Sequence, residues 1–433
     1  MQLDIKFRRI RPIALALFAA SILHPFASRS EAADKTLLDT LEQKGMITRE
    51  EAAAIAKESA VQVSARPETK SFRLSSRFQI QYEWLDSEAY SGGGAPAYGS
   101  VNGFNVRRFF LQADADLGGG WQTRFSVDLA RSEATSIFTD TYLSKKIESQ
   151  WLDGKLILGY TRPGFALEDM TSSFAMTAIE RSAATMYWTG DANNRRLGVG
   201  SRYMGVHWRG NVRQVEGLSY NLSITNAYQF SPTEIESRQY CYGDNKLAYW
   251  AGVHYAFSAD DFKLKCGLYS MYSTSANYNM GVVDSASIGS INPYFTGNFG
   301  DLYFWGDYLA SIVADGKTSA SGAYEQANPY GLNFAVEYRF DIGDYGKIAP
   351  TFRYSWVDTN GRGIRINDAQ RHSPRIGSLY DNVQEFYAGV NWYFDGELKV
   401  KLGYSYAQFS GDCRGGNAFA ESSSVRIQFQ MRL

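Results

Sequence analysis

The chain has 433 residues, with 44% hydrophobic, 15% aromatic and 21% charged side chains and a formal net charge of −1. Its mean hydropathy is −0.32, with 26 Phe, 29 Tyr and 9 Trp. A near-neutral balance without basic clusters gives no footing for a nucleic-acid partner, and no segment beyond the N-terminus is apolar for long enough to read as a membrane-spanning helix. Residues 1–32 read as a secretory signal: Arg8, Arg9 and Arg11 precede an apolar run over 13–23, and Ser30-Glu31-Ala32 forms a small-x-small cleavage site. That run is too short for a transmembrane anchor, which needs about 20 apolar residues. The signal carries five cationic and two anionic side chains, so its removal takes the net charge from −1 to −4.

Residues 33–62 form the only helical pattern. Leu37, Leu38 and Leu41 share a face ahead of Gly45, and Thr48-Arg49-Glu50-Glu51 is a capping box before an alanine-rich run. The expectation is a short periplasmic helical hairpin that pairs with its own copies, touches the cell wall (peptidoglycan), or serves as a loosely docked leader. Residues 63–70, with Pro67, read as a linker.

From Ser71 the period changes to two. Phe72, Leu74, Phe78, Ile80, Tyr82 and Trp84 alternate with Arg73, Arg77, Gln79, Gln81 and Glu83. The same rule places further strands near 105–117, 121–130, 137–146, 155–162, 195–208, 218–228, 246–257, 262–274, 284–296, 301–313, 330–341, 348–358, 384–394, 398–408 and 423–433. Tight links such as Gly118-Gly119-Gly120 alternate with long Gly-, Ser-, Asn- and Asp-rich ones, including 86–103, 229–245, 314–329, 359–382 and 410–422. An aromatic-rich but hydrophilic chain of this kind fits a membrane barrel, apolar outward and polar inward, better than a soluble sandwich. The predicted fold is all-β: a sixteen-stranded antiparallel outer-membrane β-barrel over 71–433, with both barrel ends in the periplasm. Cys241, Cys266 and Cys413 show no metal spacing. They read as small packing residues, with a Cys241–Cys413 bridge open only if two outer loops meet. No cofactor or metal is expected.

The link over 162–196 is too long for a plain turn, and loops of that length inside a compact fold are usually functional. It is predicted to fold into the lumen as a constriction. Phe165, Leu167, Phe174, Met176 and Ile179 would hold its shape, and Glu168, Asp169 and Glu180 would accept hydrogen bonds from wall arginines. Arg162, Arg181, Arg195 and Arg196 are its cations. Arg73, Arg77, Arg124, Arg339, Arg353, Arg426, Lys399 and Lys401 point inward from the wall, as do Glu83, Asp114, Asp128, Glu337 and Glu385. Each of these charges has a plainer reading as a solvated or ion-paired wall residue.

The order R-P-G-F, LEDMTSS, a short apolar run, IERS and RRLGVG across this loop, with NVQEFYAGVNWYFDGELKVKLGYSYAQFSG near the C-terminus, resembles the phosphate-selective porin O/P family of Gram-negative outer membranes over roughly residues 70–433. The resemblance implies a water-filled channel for passive diffusion of small anionic or neutral solutes, embedded in outer-membrane lipid as a homotrimer. Phosphate-selective members line the pore with arginines and place lysines at its narrowest point; the arginines are present, but 163–194 contains no lysine. The predicted preference is for small anions, phosphate among several. The final strand, Val425 to Leu433, resembles the terminal signal read by the outer-membrane assembly machinery, with Leu433 in place of the usual Phe. Two other readings are a structural anchor to the cell wall through 34–59 and a barrel hydrolase. The second lacks support: His207, His254 and His372 are the only histidines after the signal, and no GxSxG or HExxH motif accompanies them.

Overall fold

The computed structural model describes residues 71–91, 95–130, 138–150, 152–190, 196–227, 247–274, 287–319, 321–394, 396–412 and 416–433. The signal, helical-hairpin and linker expectations, together with Arg195, Cys241 and Cys413, lie outside these residues. Nearly all described residues form one compact unit, Arg73–Asp114 with Gly120–Leu433; Ser71, Phe72 and Ala115–Gly119 are assigned to a second unit.

The strands in chain order are β1 (Ser71–Ser91), β2 (Ala97–Gly118), β3 (Trp121–Asp128), β4 (Phe138–Glu148), β5 (Leu152–Thr161), β6 (Tyr203–Val212), β7 (Leu218–Asn226), β8 (Leu247–Ala259), β9 (Phe262–Ser273), β10 (Ile288–Phe299) and β11 (Leu302–Thr318). Three collinear pieces, Tyr324–Ala327, Tyr330–Tyr338 and Phe340–Asp341, make up β12; β13 (Lys347–Asp358), β14 (Tyr380–Tyr393), β15 (Leu398–Asp412) and β16 (Gly416–Arg432) complete the set. Each strand is antiparallel to its sequence neighbours, and β1 pairs with β16 from Arg77↔Arg432 to Ser91↔Ala418. The result is a closed sixteen-strand barrel. Every strand has two partners, so no row of backbone N–H and C=O groups is left open to lipid.

The period of two sorts side chains as the sequence suggests. Gln79, Gln81 and Glu83 are buried on the inside, while Leu74, Ile80 and Trp84 are exposed on the outside. The outward set continues as Tyr249, Val253, Tyr255 and Phe257 on β8 and Phe429 and Met431 on β16. Such an apolar, aromatic surface suits a bilayer. Cys266 is exposed on this outer face rather than packed inside. Among the described residues no helix is long and apolar enough to cross a membrane.

Three features depart from the sequence reading. First, β6 begins at Tyr203, not near 195. Leu197 and Val199 alternate as a strand would, but both are buried in the interior cluster, and Gly198, Ser201 and Gly200 take φ values of 67°, 63° and 124° that no strand accommodates. The inward loop therefore runs from 162 to 202. Second, the alternation on β2 changes phase. Phe104, Val106 and then Phe109 face outward, so Arg107 and Arg108 both face the interior. Local phase changes of this kind are the work of bulges, which re-aim side chains. Third, residues 359–379, read as an outer loop, fold inward: Ile364, Ile366, Ala369 and Leu379 are buried, and a short helix (Ile366–Ala369) lies among them.

Candidate functional site

The loop over 162–202 is built around two short helices, α1 (Leu167–Met170) and α2 (Ala183–Thr189). All seven residues of α2 are buried, with Tyr187 and Trp188 fully so, which is why this run of apolar residues sits inside an otherwise polar lumen. The wall supplies the polar partners α2 needs. Ser182 caps it by accepting from Thr185 N, Ala183 N donates to Glu385 Oε2 at 2.8 Å, and Ala184 N donates to Ser355 Oγ at 3.1 Å. These are the first-turn N–H groups that lack intrahelical partners. Trp188 Nε1 donates to Ser311 Oγ at 2.8 Å. Gly331 leaves room for this approach, since a Cβ there would lie 3.2 Å from the Trp188 ring and 2.5 Å from Trp356 O.

The rest of the loop is clamped to the wall formed by β13 to β15. Arg353, 1% exposed, donates through Nη1 to Glu168 Oε1 and to Glu180 O, both at 2.7 Å, and through Nη2 to Glu385 Oε1 at 3.3 Å. Lys401 donates to the carbonyls of Met176 and Ala178, Lys399 to that of Phe174, and Asn391 Nδ2 to that of Thr177 at 2.9 Å. On the opposite side Arg107 grips Glu180 with two bonds, the Nη2–Oε2 one at 2.7 Å. Arg196 donates to Asn367 O at 2.7 Å and Asp368 O at 2.9 Å, tying this loop to 359–379. Arg362 extends the same junction by donating to Tyr187 Oη and Gly316 O.

A cavity of about 1170 Å³ lies between the loop and the wall of β1 to β4. Arg73, Arg77, Arg107, Arg108, Arg124, Arg162, Arg181, Arg196, Arg202, Arg371 and Arg432 line it, with Asp128, Asp140, Asp169 and Glu397 as its carboxylates and no lysine. Most of these cations are already paired: Arg73 and Arg124 with Asp114 (3.4 and 2.6 Å), Arg162 and Arg181 with Asp169 (3.5 and 3.1 Å), and Arg202 with Asp140 (3.0 Å). Arg196 pairs with Asp368 at 3.9 Å and Arg432 with Glu397 at 2.8 Å. Burial alone would push the loop carboxyls up, but cations outweigh it. Arg181, Arg162 and Arg202 hold Asp169 below the usual carboxylate range, and Arg107, Arg371 and Arg426 hold Glu180 well below it. A carboxyl whose folded-state pKa is lowered stabilises the fold at higher pH, and that contribution fades only as pH falls through the lowered value. Both anchors therefore stay charged through neutral and mildly acidic solution.

Two arginines differ from these. Arg77 stacks over the Phe110 ring at 4.6 Å and donates to Ser172 Oγ at 2.7 Å. Arg108 reaches only Gln79 Oε1, at 3.5 Å. Among the described residues, neither is ion-paired. Of the arginines singled out from sequence, Arg73, Arg77, Arg124, Arg162, Arg181 and Arg196 line the cavity. Arg353 lies beneath the loop, Arg339 pairs with Glu337 at 2.8 Å, and Arg426 pairs with Glu83 at 3.3 Å; none of these three is on the cavity surface. Arg107, Arg108, Arg202, Arg371 and Arg432 are the additions. The doublet at 107–108 was visible in the sequence, but strict alternation sends one of the pair outward.

Residues 72–233 match the model of the phosphate-selective porin O and P family. No curated protein matches the chain. Among solved structures, it is similar to the outer membrane channel DcaP of Acinetobacter baumannii, at 12% identity over 84% of this chain and 97% of that one, with a TM-score of 0.51. It is also similar to Salmonella typhi OmpF, solved in complex with daunomycin, at 14% identity over 83% of this chain and 97% of that one, with a TM-score of 0.50. At such identities the structural likeness is one of fold. Together with the family match over 72–233, it supports a porin-type channel of the Gram-negative outer membrane.

Proposed function

We propose that the barrel is a passive diffusion channel that favours small anions, inorganic phosphate among them, over cations. It works as a homotrimer with both barrel ends in the periplasm. The observation that carries the anion preference is the pair Arg77 and Arg108, cationic groups on the lumen wall that form no ion pair among the described residues. A solute passing between the loop and β1–β2 loses part of its hydration shell. Fixed cations at close range replace that shell for an anion and repel a cation. A pair of unit charges 4 Å apart is worth about 4 kcal/mol at an effective dielectric constant of about 20, and salt screens it over about 10 Å at 0.1 M. That is enough to discriminate while still allowing release, as conduction requires. The loop arginines contribute less, because Asp169 and Asp368 already offset them.

Reversal potentials in planar bilayers under a salt gradient test this reading. Arg77→Gln with Arg108→Gln is expected to lower the anion-to-cation permeability ratio by about threefold, a loss of roughly 0.7 kcal/mol of preference. Arg181→Gln is expected to change it less. Equal effects of the two changes, or none from the double substitution, would move the selectivity elsewhere.

A further inference from the structure

We propose that the second inward loop carries a proton-operated charge switch. His372, held between Glu83 and Arg371 at the edge of the lumen, adjusts the channel's ion preference to the pH outside. This rests on the barrel conducting, as proposed above, but its atomic content can be tested independently.

The geometry fixes the ring's state. His372 Nδ1 lies 2.5 Å from Glu83 Oε1, and Arg371 Nε donates to His372 Nε2 across 3.2 Å. An arginine has only donors, so Nε2 must be the bare acceptor nitrogen; a carboxylate has only acceptors, so Nδ1 must carry the hydrogen. The hydrogen-bond network thus assigns the neutral Nδ1–H tautomer. Glu83 is anchored on its other sides by Asn105 Nδ2 at 2.9 Å, Gln81 Nε2 at 3.1 Å and Arg426 Nε at 3.3 Å. His372 itself sits in the left-handed region, at φ 65°, where few residues with a side chain settle. Its side chain is 38% exposed, so protons reach it, whereas that of Glu83 is 6% exposed.

Acidification changes one bond. When Nε2 takes a proton it can no longer accept from Arg371, and two like charges face each other across the former hydrogen bond. The bond to Glu83 persists as an ion pair. The Arg371 backbone stays in place, because its carbonyl accepts from Arg426 Nη2 at 2.8 Å, so the movement is confined to the guanidinium. The lumen gains one positive charge, and the Arg371 side chain, already on its surface, turns away from the ring. The charged groups around the ring are Glu83 on β1, Arg107 and Arg108 on β2, Glu180 on the 162–202 loop, Arg426 on β16 and Arg371 beside it. Arginines stay charged and Glu180 is held well below the usual carboxylate range, so the imidazole, with its bare Nε2, is the group here that can take up a proton.

Two measurements on the full-length protein decide the matter. In planar bilayers the anion-to-cation permeability ratio of the wild type is expected to rise roughly twofold as pH falls from 8 to 5. His372→Gln, whose amide supplies a donor and an acceptor without a titrating proton, is expected to remove that rise. A wild-type ratio that ignores pH, or a rise that survives His372→Gln, overturns the switch. Nitrogen NMR of histidine-labelled barrel in detergent reads the ring directly, with His372→Gln identifying its signal. An Nδ1–H tautomer at pH 8 that titrates by pH 5 is expected; the opposite tautomer, or a ring that does not titrate, overturns the proposal. If no current flows at any pH, the channel reading is what fails, and the ring signal still decides the switch.

Discussion

Replacing residues 167–188 with a short Gly–Ser linker is expected to raise single-channel conductance by about twofold or more, because current through a pore is limited by its narrowest cross-section. The segment removed contains α1, all of α2 except Thr189, and the buried residues Met176, Ile179, Tyr187 and Trp188. The barrel does not depend on it for closure: β5 pairs with β6 directly from Leu152↔Val212 to Thr161↔Tyr203, and the ring closes at β1 and β16. Arg353, Glu385 and Lys401, stripped of their loop partners, would then face water rather than remain as buried unpaired charges. Trp188→Ala gives a graded version. Loss of a fully buried Trp costs about 3–5 kcal/mol, here directed at loop docking, and should appear as flicker between conductance levels. Conductance unchanged by the replacement would place the loop outside the conduction path.

The second large effect is expected at Arg353. One guanidinium joins Glu168 on the loop to Glu385 on the wall and also satisfies the Glu180 carbonyl. Arg353→Met leaves two carboxylates buried against each other without a cation. Removing one partner of a buried pair costs about 3–5 kcal/mol, most of it the burden of the charge left behind. The weakest element should yield first, and that is the loop, since β13 remains zipped to β14 over twelve register positions from Lys347↔Tyr393 to Asp358↔Asn382. Trypsin is then expected to cut after Arg181 or Arg196 in a barrel that keeps its β-sheet circular dichroism. Arg353→Lys should fall between the two, because an ammonium cannot form the fork that serves two carboxylates. A loop as protease-resistant in Arg353→Met as in the wild type would show that the other clamps suffice.

How far the sequence discloses this architecture depends on whether a signal is local. Alternation is local, so sixteen strands could be read in order, and the inward direction of Arg77, Glu83, Glu385 and Lys401 followed from it. Strand ends were less clear, because a loop segment can alternate too: Leu197 and Val199 share a face for packing in the interior, not for pairing in the sheet. What an inward charge meets is not local at all. Lys401 and Arg353 look like pore-lining cations until 162–202 is folded over them, when the first becomes a clamp on the carbonyls of Met176 and Ala178 and the second a buried bridge. The inward course of 359–379 was equally hidden. Its Gly-, Asn- and Arg-rich sequence resembles any outer loop, and only its contacts with α2 through Arg362, and with 162–202 through Arg196, give it a place. Arg108 depended on a single phase change in β2, a shift that a strict period of two cannot express.

The most direct measurement is the zero-current potential of the purified wild-type protein in a planar bilayer separating two potassium chloride concentrations at pH 7. Discrete conductance steps are expected, with a reversal potential of the sign set by chloride and a magnitude that shrinks as both salt concentrations rise and screen the wall arginines. Steps whose reversal potential follows potassium, or a membrane that stays silent, would contradict an anion-favouring channel governed by Arg77 and Arg108.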